Sequence, residues 1–251
     1  MRAIIIGAGR GRRLMPYTAD MPKCYAAVGG RRLLDWGLEA LEAGGLERVV
    51  FIGGYCIDQV QRDYPHFTFC HNDDWPNNNI MRSLMYAEEH MDDGFVCSYA
   101  DILYRPEIVE RLVQSPYPIT LVCDTAWRRR YEGRTEHPEH DAEKMTADEE
   151  RVVRLGRTIP SEHARGEYIG VARFTAEGAA LLKEHYRRAS ERYGEGPFQG
   201  AASFRKAYLI DLLQEMLDAG VAMHLLETAG GYMEIDTTQD YHLACTEWGR
   251  P

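Results

Sequence analysis

Several things are scarce in this 251-residue chain, and each shortage narrows what it does. A formal charge of −10 leaves no broad basic surface of the kind that follows a nucleic-acid backbone. No apolar run approaches the roughly 18 residues of a membrane-spanning helix. One arginine and a five-residue apolar run open the chain, without the layout of a secretory signal. Cys24, Cys56, Cys70, Cys97, Cys123 and Cys245 lie far apart with no C-x-x-C pair, so no zinc site is expected. Four of them fall in or beside apolar runs and read as reduced, buried thiols of a cytoplasmic protein. Lysine is the rarest charge: Lys23, Lys144, Lys183 and Lys206 stand against 25 arginines. Base composition of the genome is the simplest cause, and it makes a lysine among the first 23 residues conspicuous.

What is present is a regular alternation. Apolar stretches at 3–7, 48–53, 67–70, 95–98 and 118–123 alternate with helical patterns at 33–43, 56–63, 79–90 and 106–114. Short, fully apolar strands between helices predict an α/β fold with a mostly parallel central sheet covered on both faces. The pattern breaks after 124, where 125–150 is dense in charge and has no sustained period. It reads as a surface excursion, a lid-like or acceptor-side insertion at about 125–165 within one domain spanning 1–251. Added strands are expected at 151–156 and 167–174, helices at 176–192 and 204–219, a strand pair at 222–227 and 232–236, and a C-terminal helix.

The first strand runs directly into GAGRGRRLMPYTADMPK. Gly7, Gly9 and Gly11 follow G-x-G-x-G rather than the G-x-G-x-x-G of a dinucleotide fold, and Pro16 breaks the helix that such a fold needs. No Gly-Lys-[Ser/Thr] of a triphosphate P-loop follows either. The remainder is an open loop, Ala8, Gly9, Arg10, Gly11, Arg12 and Arg13, whose amides and guanidinium groups suit a phosphate, with Lys23 closing it. A structural turn carrying solvated arginines is the plainer alternative for a glycine-rich bend alone.

The order Gly7-Ala8-Gly9-x-Gly11-x-Arg13-Leu14-x-Pro16-x-Thr18 and then Met21-Pro22-Lys23 resembles the N-terminal signature of nucleotidyltransferases that activate phosphorylated small molecules, with Gly7 in place of the usual first alanine. His71-Asn72-Asp73, Asn77 to Leu84, Gly166 to Gly170 and Glu234 to Tyr241 are similar to bacterial phosphocholine and phosphonate cytidylyltransferases. The likeness spans nearly the whole chain. It implies Mg²⁺-dependent transfer of CMP from CTP to a small phosphorylated or phosphonate acceptor, with release of pyrophosphate. It further implies Arg13 and Lys23 as catalytic cations, and Asn72, Asn78 and Ser83 beside the 8–13 loop as nucleotide-binding groups.

Asp101 and Asp236 each end a strand-like run, where ligands of parallel sheets gather. Either alone reads as a turn or helix cap; as a pair they match the two metal-binding aspartates of the family. No acid–base constellation is needed, because a phosphate monoester is largely a dianion at neutral pH. Glu167, Tyr168 and Tyr232 are the expected acceptor-binding residues, with Arg129 and Arg130 as further candidates. His137, His140 and His163 read as solvated. A sugar-1-phosphate nucleotidyltransferase and a non-catalytic nucleotide-binding module are the alternatives, and oligomeric state is left open between monomer and homodimer.

Overall fold

Ile4, Ile5 and Ile6 leave β1 (Arg2–Gly7) no solvent face, so it takes the interior of a sheet. The computed structural model describes residues 1–248. After β1 come the short hairpin β2 (Ala27–Val28) and β3 (Arg31–Arg32), then α1 (Leu33–Ala43), β4 (Val49–Gly53), α2 (Ile57–Asp63), β5 (Thr68–His71) and α3 (Ile80–Met85). Next are β6 (Phe95–Tyr99), β7 (Ile102–Tyr104), α4 (Pro106–Leu112), β8 (Ile119–Asp124), α5 (Arg128–Tyr131), β9 (Lys144–Asp148) and β10 (Arg151–Leu155). The chain continues through β11 (Gly166–Phe174), α6 (Ala176–Tyr193), α7 (Leu209–Asp218), β12 (His224–Thr228), β13 (Tyr232–Glu234) and α8 (Thr238–Glu247).

Nine strands form one sheet in the order β5-β4-β1-β6-β11-β8-β12-β10-β9. Most share the direction of β1; β11 and β10 run against it. The two-residue alternation of a strand sorts β1 onto two cores. Ile4 and Ile6 pack with Met81 and Leu84 of α3, Leu182 of α6 and Leu213 and Met216 of α7. Ala3 and Ile5 pack with Leu34 and Leu41 of α1, Val60 of α2 and Val109 and Leu112 of α4. Among the described residues no helix is long and apolar enough to cross a membrane.

Four expectations needed revision. The strand at 167–174 is no addition to an edge: Tyr168, Ile169, Val171, Ala172 and Phe174 are buried on both faces, so β11 lies between β6 and β8. The expected strand pair divides, β12 joining β8 and β13 joining β7. The helix at 204–219 begins only at Leu209, because Ala207 and Tyr208 are extended and the Asp211 carboxylate accepts from the Tyr208 amide at 2.7 Å, fixing the start there. The excursion is partly sheet: β9 pairs with both β10 and β11, while Trp127, Tyr131 and Ala142 bury one another.

Candidate active site

The carboxyl end of β1 delivers Gly7 to the floor of a cleft of about 340 Å³, lined along one side by Ala8, Gly9, Gly11, Arg12 and Arg13. Gly11 takes a left-handed backbone, φ 66°, that side chains disfavour. It also makes room for the lysine, since a Cβ there would stand 2.8 Å from Cγ and Cδ of Lys23. The buried Thr18 hydroxyl donates to the Gly11 carbonyl at 2.9 Å and pins the loop. Among the described residues no protein oxygen accepts from the amides of Gly9, Arg10 or Gly11, which leaves them for an anion. Trp75, Asn78, Asn79 and Ser83 line the same cleft, and Asn79 caps α3 by accepting from the Ile80 amide.

Two aspartates meet at the mouth of this cleft because β13 pairs antiparallel with β7. Glu234 lies opposite Ile102, and the Ile235 amide donates to the Asp101 carbonyl at 3.0 Å, so Asp236 is delivered beside Asp101. The Lys23 ammonium bridges them, 2.6 Å from Asp101 Oδ2 and hydrogen-bonded to Asp236. Arg13 also holds Asp236. Burial alone would lower the basicity of Lys23, but Asp101, Asp236 and Glu234 together raise it above the ordinary lysine value. Burial likewise favours the neutral form of Asp236, and Lys23 with Arg13 overrides it, holding that carboxyl below its usual range. One cation thus already sits between two hard carboxylates. A second group of ligand atoms, from His137, Glu234 and Asp236, lies within 4.8 Å of itself.

A second cleft of about 260 Å³ adjoins the first and shares Arg13, Asp101 and Asp236 with it. Tyr99, Tyr168, Tyr208 and Tyr232 form much of its wall, with Glu143, Glu167, Glu234 and Arg157. Gly170, at φ 78° where the β11–β8 register shifts, lets the strand bend against the Tyr99 ring. Glu167 is held by Arg130 and by the Tyr131 hydroxyl at 2.7 Å. Burial pushes Glu143 up to about 7; Arg157 opposes the shift and Glu167 adds to it. Burial, followed by the charges of Asp236 and Asp101, raises Glu234 well above the ordinary carboxyl range.

Behind both clefts lies a buried brace. Asp240 accepts from Arg134 Nε at 2.8 Å, sits 3.2 Å from His137 Nδ1, and accepts from the amides of Asp236 and Thr237 at 3.0 and 2.9 Å. It therefore ties the 134–137 segment to the backbone that carries Asp236.

Residues 3–149 match the family described as the MobA-like NTP transferase domain. The chain belongs to this family. It is a nucleotidyltransferase. It is 26% identical to the CTP:phosphoglutamine cytidylyltransferase of Campylobacter jejuni, over 96% of this chain and 97% of that one. It is also 26% identical to the 2-aminoethylphosphonate cytidylyltransferase of Lancefieldella rimae, over 76% and 74% of the two. The structure of the CTP:phosphocholine cytidylyltransferase of Streptococcus pneumoniae superposes with a TM-score of 0.69 at 20% identity, covering 98% of this chain and 97% of that one.

Within this transferase, Ala8, Gly9, Gly11, Arg12, Arg13, Lys23, Asn78, Ser83, Asp101 and Asp236 all line the first cleft. Tyr168, Tyr232 and Glu167 line the second. Asn72 is placed differently from expectation: fully buried, it exchanges amide hydrogen bonds with Asn78 and donates to Ser83 at 2.7 Å, so it orients cleft residues from behind. Arg10 lies over the Tyr55 ring, 5.0 Å from its centroid, rather than on the cleft wall. Arg129 is exposed on a separate depression, and Arg130, on the same depression rather than in the second cleft, bridges Glu167 to Asp124 and lies over the Tyr232 ring, 4.4 Å from its centroid. His137 is buried beside Glu234 and Asp240, whereas His140 and His163 are exposed as expected.

Sequence reasoning missed Glu143, Arg157, Tyr208 and Glu234. Glu234 had a readable signal, since on a strand it shares a face with Tyr232 and precedes Asp236 by two. Glu143 and Arg157 had none, lying in segments without period.

Proposed function

We propose that this nucleotidyltransferase is a Mg²⁺-dependent cytidylyltransferase that joins CMP from CTP to a small phosphorylated or phosphonate acceptor bearing a charged nitrogen. The observation that carries the reading is that two clefts, one lined by the glycine-arginine loop and one by tyrosines and glutamates, meet at Arg13, Asp101 and Asp236. A nucleotide in the first and an acceptor in the second would bring their phosphates together there. The names of the relatives support CTP as the donor.

In this reading an oxygen of the acceptor phosphate attacks the α-phosphorus of CTP. A new P–O bond forms as the bond to the bridging oxygen breaks, and the electron pair leaves with pyrophosphate. The acceptor is already an anion, so no residue removes a proton. Loop amides and Arg12 hold the triphosphate, while Arg13 and Lys23 face the charge that builds at the reacting phosphorus. Asp101 and Asp236 fit a divalent ion: their hard oxygens already converge on one cation, the Lys23 ammonium. Bound there, Mg²⁺ would neutralise phosphate charge. Lys23 would then leave the aspartates for the phosphates.

Pyrophosphate release is to be measured with each of four NTPs, with Mg²⁺ or EDTA, against phosphocholine, phosphoethanolamine, 2-aminoethylphosphonate and glucose-1-phosphate. Turnover restricted to CTP, Mg²⁺ and a nitrogen-bearing acceptor is expected. Asp101→Asn and Asp236→Asn should each lower kcat by about 10³-fold or more while retaining the native far-ultraviolet spectrum. Turnover with the sugar phosphate alone would replace this reading by that of a sugar-1-phosphate nucleotidyltransferase.

A further inference from the structure

Glu143 and Arg157 meet in the second cleft in a long ion pair. Glu143 is 8% exposed, yet its two contacts, Arg157 Nη2 and the Tyr99 hydroxyl, both stand at 3.4 Å, the long end of hydrogen bonding. The Arg157 guanidinium lies on the Tyr208 ring, 3.8 Å from its centroid, and its buried Nε has no partner. Tyr168 is 2% exposed and its hydroxyl also has no partner. Groups left unpaired away from water are destabilising and call for a partner.

Of the other glutamates of the cleft, Glu167 is taken by Arg130 and Tyr131, and Glu234, 3.6 Å from His137 and two residues before Asp236, belongs to the end of the cleft that holds Asp236. Glu143 and Arg157 therefore stand side by side with hydrogen-bonding capacity to spare, and Tyr168 lines the same cleft with its hydroxyl unpartnered.

We propose that Glu143, Arg157 and Tyr168 form the head-group end of the acceptor cleft and select an acceptor that carries an ammonium and a carboxylate together, of amino-acid type. The inference rests on the cytidylyltransferase reading only in placing the acceptor's phosphate at the other end, near Arg13 and Asp236. Charge complementarity decides the class. A quaternary ammonium wants an aromatic cage free of cations, and Arg157 already covers the Tyr208 face. A primary amine alone would pair with Glu143 but leave Arg157 Nε and Tyr168 without partners. A carboxylate alone would meet Arg157 in the field of Glu143, Glu167 and Glu234. A neutral polyol would leave Glu143 uncompensated. The zwitterion pairs with both, its ammonium on Glu143 and its carboxylate on Arg157 and Tyr168.

Matched acceptors that differ by one carboxylate test this. O-phospho-L-serine is compared with phosphoethanolamine, and O-phospho-L-homoserine with 3-aminopropyl phosphate. Both CTP-dependent pyrophosphate release and equilibrium binding by calorimetry are measured. For at least one chain length the carboxylate-bearing member should be favoured by about 30-fold or more in kcat/KM and in affinity. Arg157→Met, which keeps an apolar stem over Tyr208, should collapse that ratio to within about threefold. Tyr168→Phe, which removes only the hydroxyl, should lower it by about tenfold. Equal use of both members of each pair, absence of binding by all four, or an equal loss for both members in Arg157→Met would overturn the inference. Selective binding without any turnover would uphold the head-group pocket and refute the reaction instead.

Discussion

Lys23 Nζ lies 2.6 Å from Asp101 Oδ2, and its ammonium is the only cation that touches both Asp101 and Asp236 among the described residues. An internal cation in that position competes with any external one. Lys23→Met should therefore raise the affinity of the nucleotide-free protein for Mn²⁺ by about tenfold, read by the loss of free-ion signal in electron paramagnetic resonance. The same variant should lose about 10²–10³-fold in kcat, because the charge that would face the phosphates is gone. Unchanged Mn²⁺ affinity would show that lysine and metal do not share the space.

Gly11 gives an independent handle on the same lysine. Gly11→Ala places a methyl group 2.8 Å from the Lys23 stem and asks alanine to hold φ 66°. The left-handed backbone costs about 1–2 kcal/mol, so the folded protein should persist with a modestly lower Tm. Turnover should fall much further than stability, by about 10²-fold, since the lysine or the loop must shift. A variant with near-normal kcat and a reduced Tm would mean that loop and lysine tolerate displacement.

These residues also show where the sequence was readable. Lys23, Arg13 and the loop glycines lie within 23 residues, so their spacing alone put them on one strand-to-loop turn. Asp101 and Asp236 were readable as strand ends, but what joins them, the pairing of Glu234 with Ile102, is a tertiary fact with no local signal. The sheet was legible wherever strands were apolar and short. The interior position of β11 was not, because a strand buried on both faces reads the same whether its neighbours run with it or against it. Glu143 and His137 sit in the stretch 125–150, whose charge density suggested solvent, and what brings that stretch onto the sheet is the pairing of β9 with β10 and β11, a tertiary fact.

The brace around Asp240 should be essential to stability. Arg134 and Asp240 are both buried, and Asp240 also caps α8. Asp240→Ala strands a buried guanidinium and removes the cap, a loss of about 3–5 kcal/mol. For a chain of this size that lowers Tm by about 6–20 °C. Asp240→Asn, which keeps the cap acceptor, should lose less. If the two variants melt alike, the cap contributes nothing beyond the ion pair with Arg134.

Glu143 predicts a pH dependence whose sign is opposite to that of most carboxylates. Burial raises it from 4.5 to about 7, against the opposing charge of Arg157 and with Glu167, Asp211 and the Tyr99 hydroxyl also near it. Between those two values the folded chain holds a proton that the unfolded chain has released. Stability from this group is therefore full below pH 4.5, declines as pH rises through about 7, and is level above that. The loss is on the order of 3 kcal/mol across the window. Glu143→Gln removes the titration, so its Tm relative to the native protein should be several degrees higher at pH 8 than at pH 5. A Tm difference that is the same at both pH values would show that Glu143 titrates normally. A filled head-group site should shrink the native protein's decline, because an ammonium on Glu143 favours its ionised form. Repeating the native melts with saturating O-phospho-L-serine should accordingly raise Tm more at pH 8 than at pH 5.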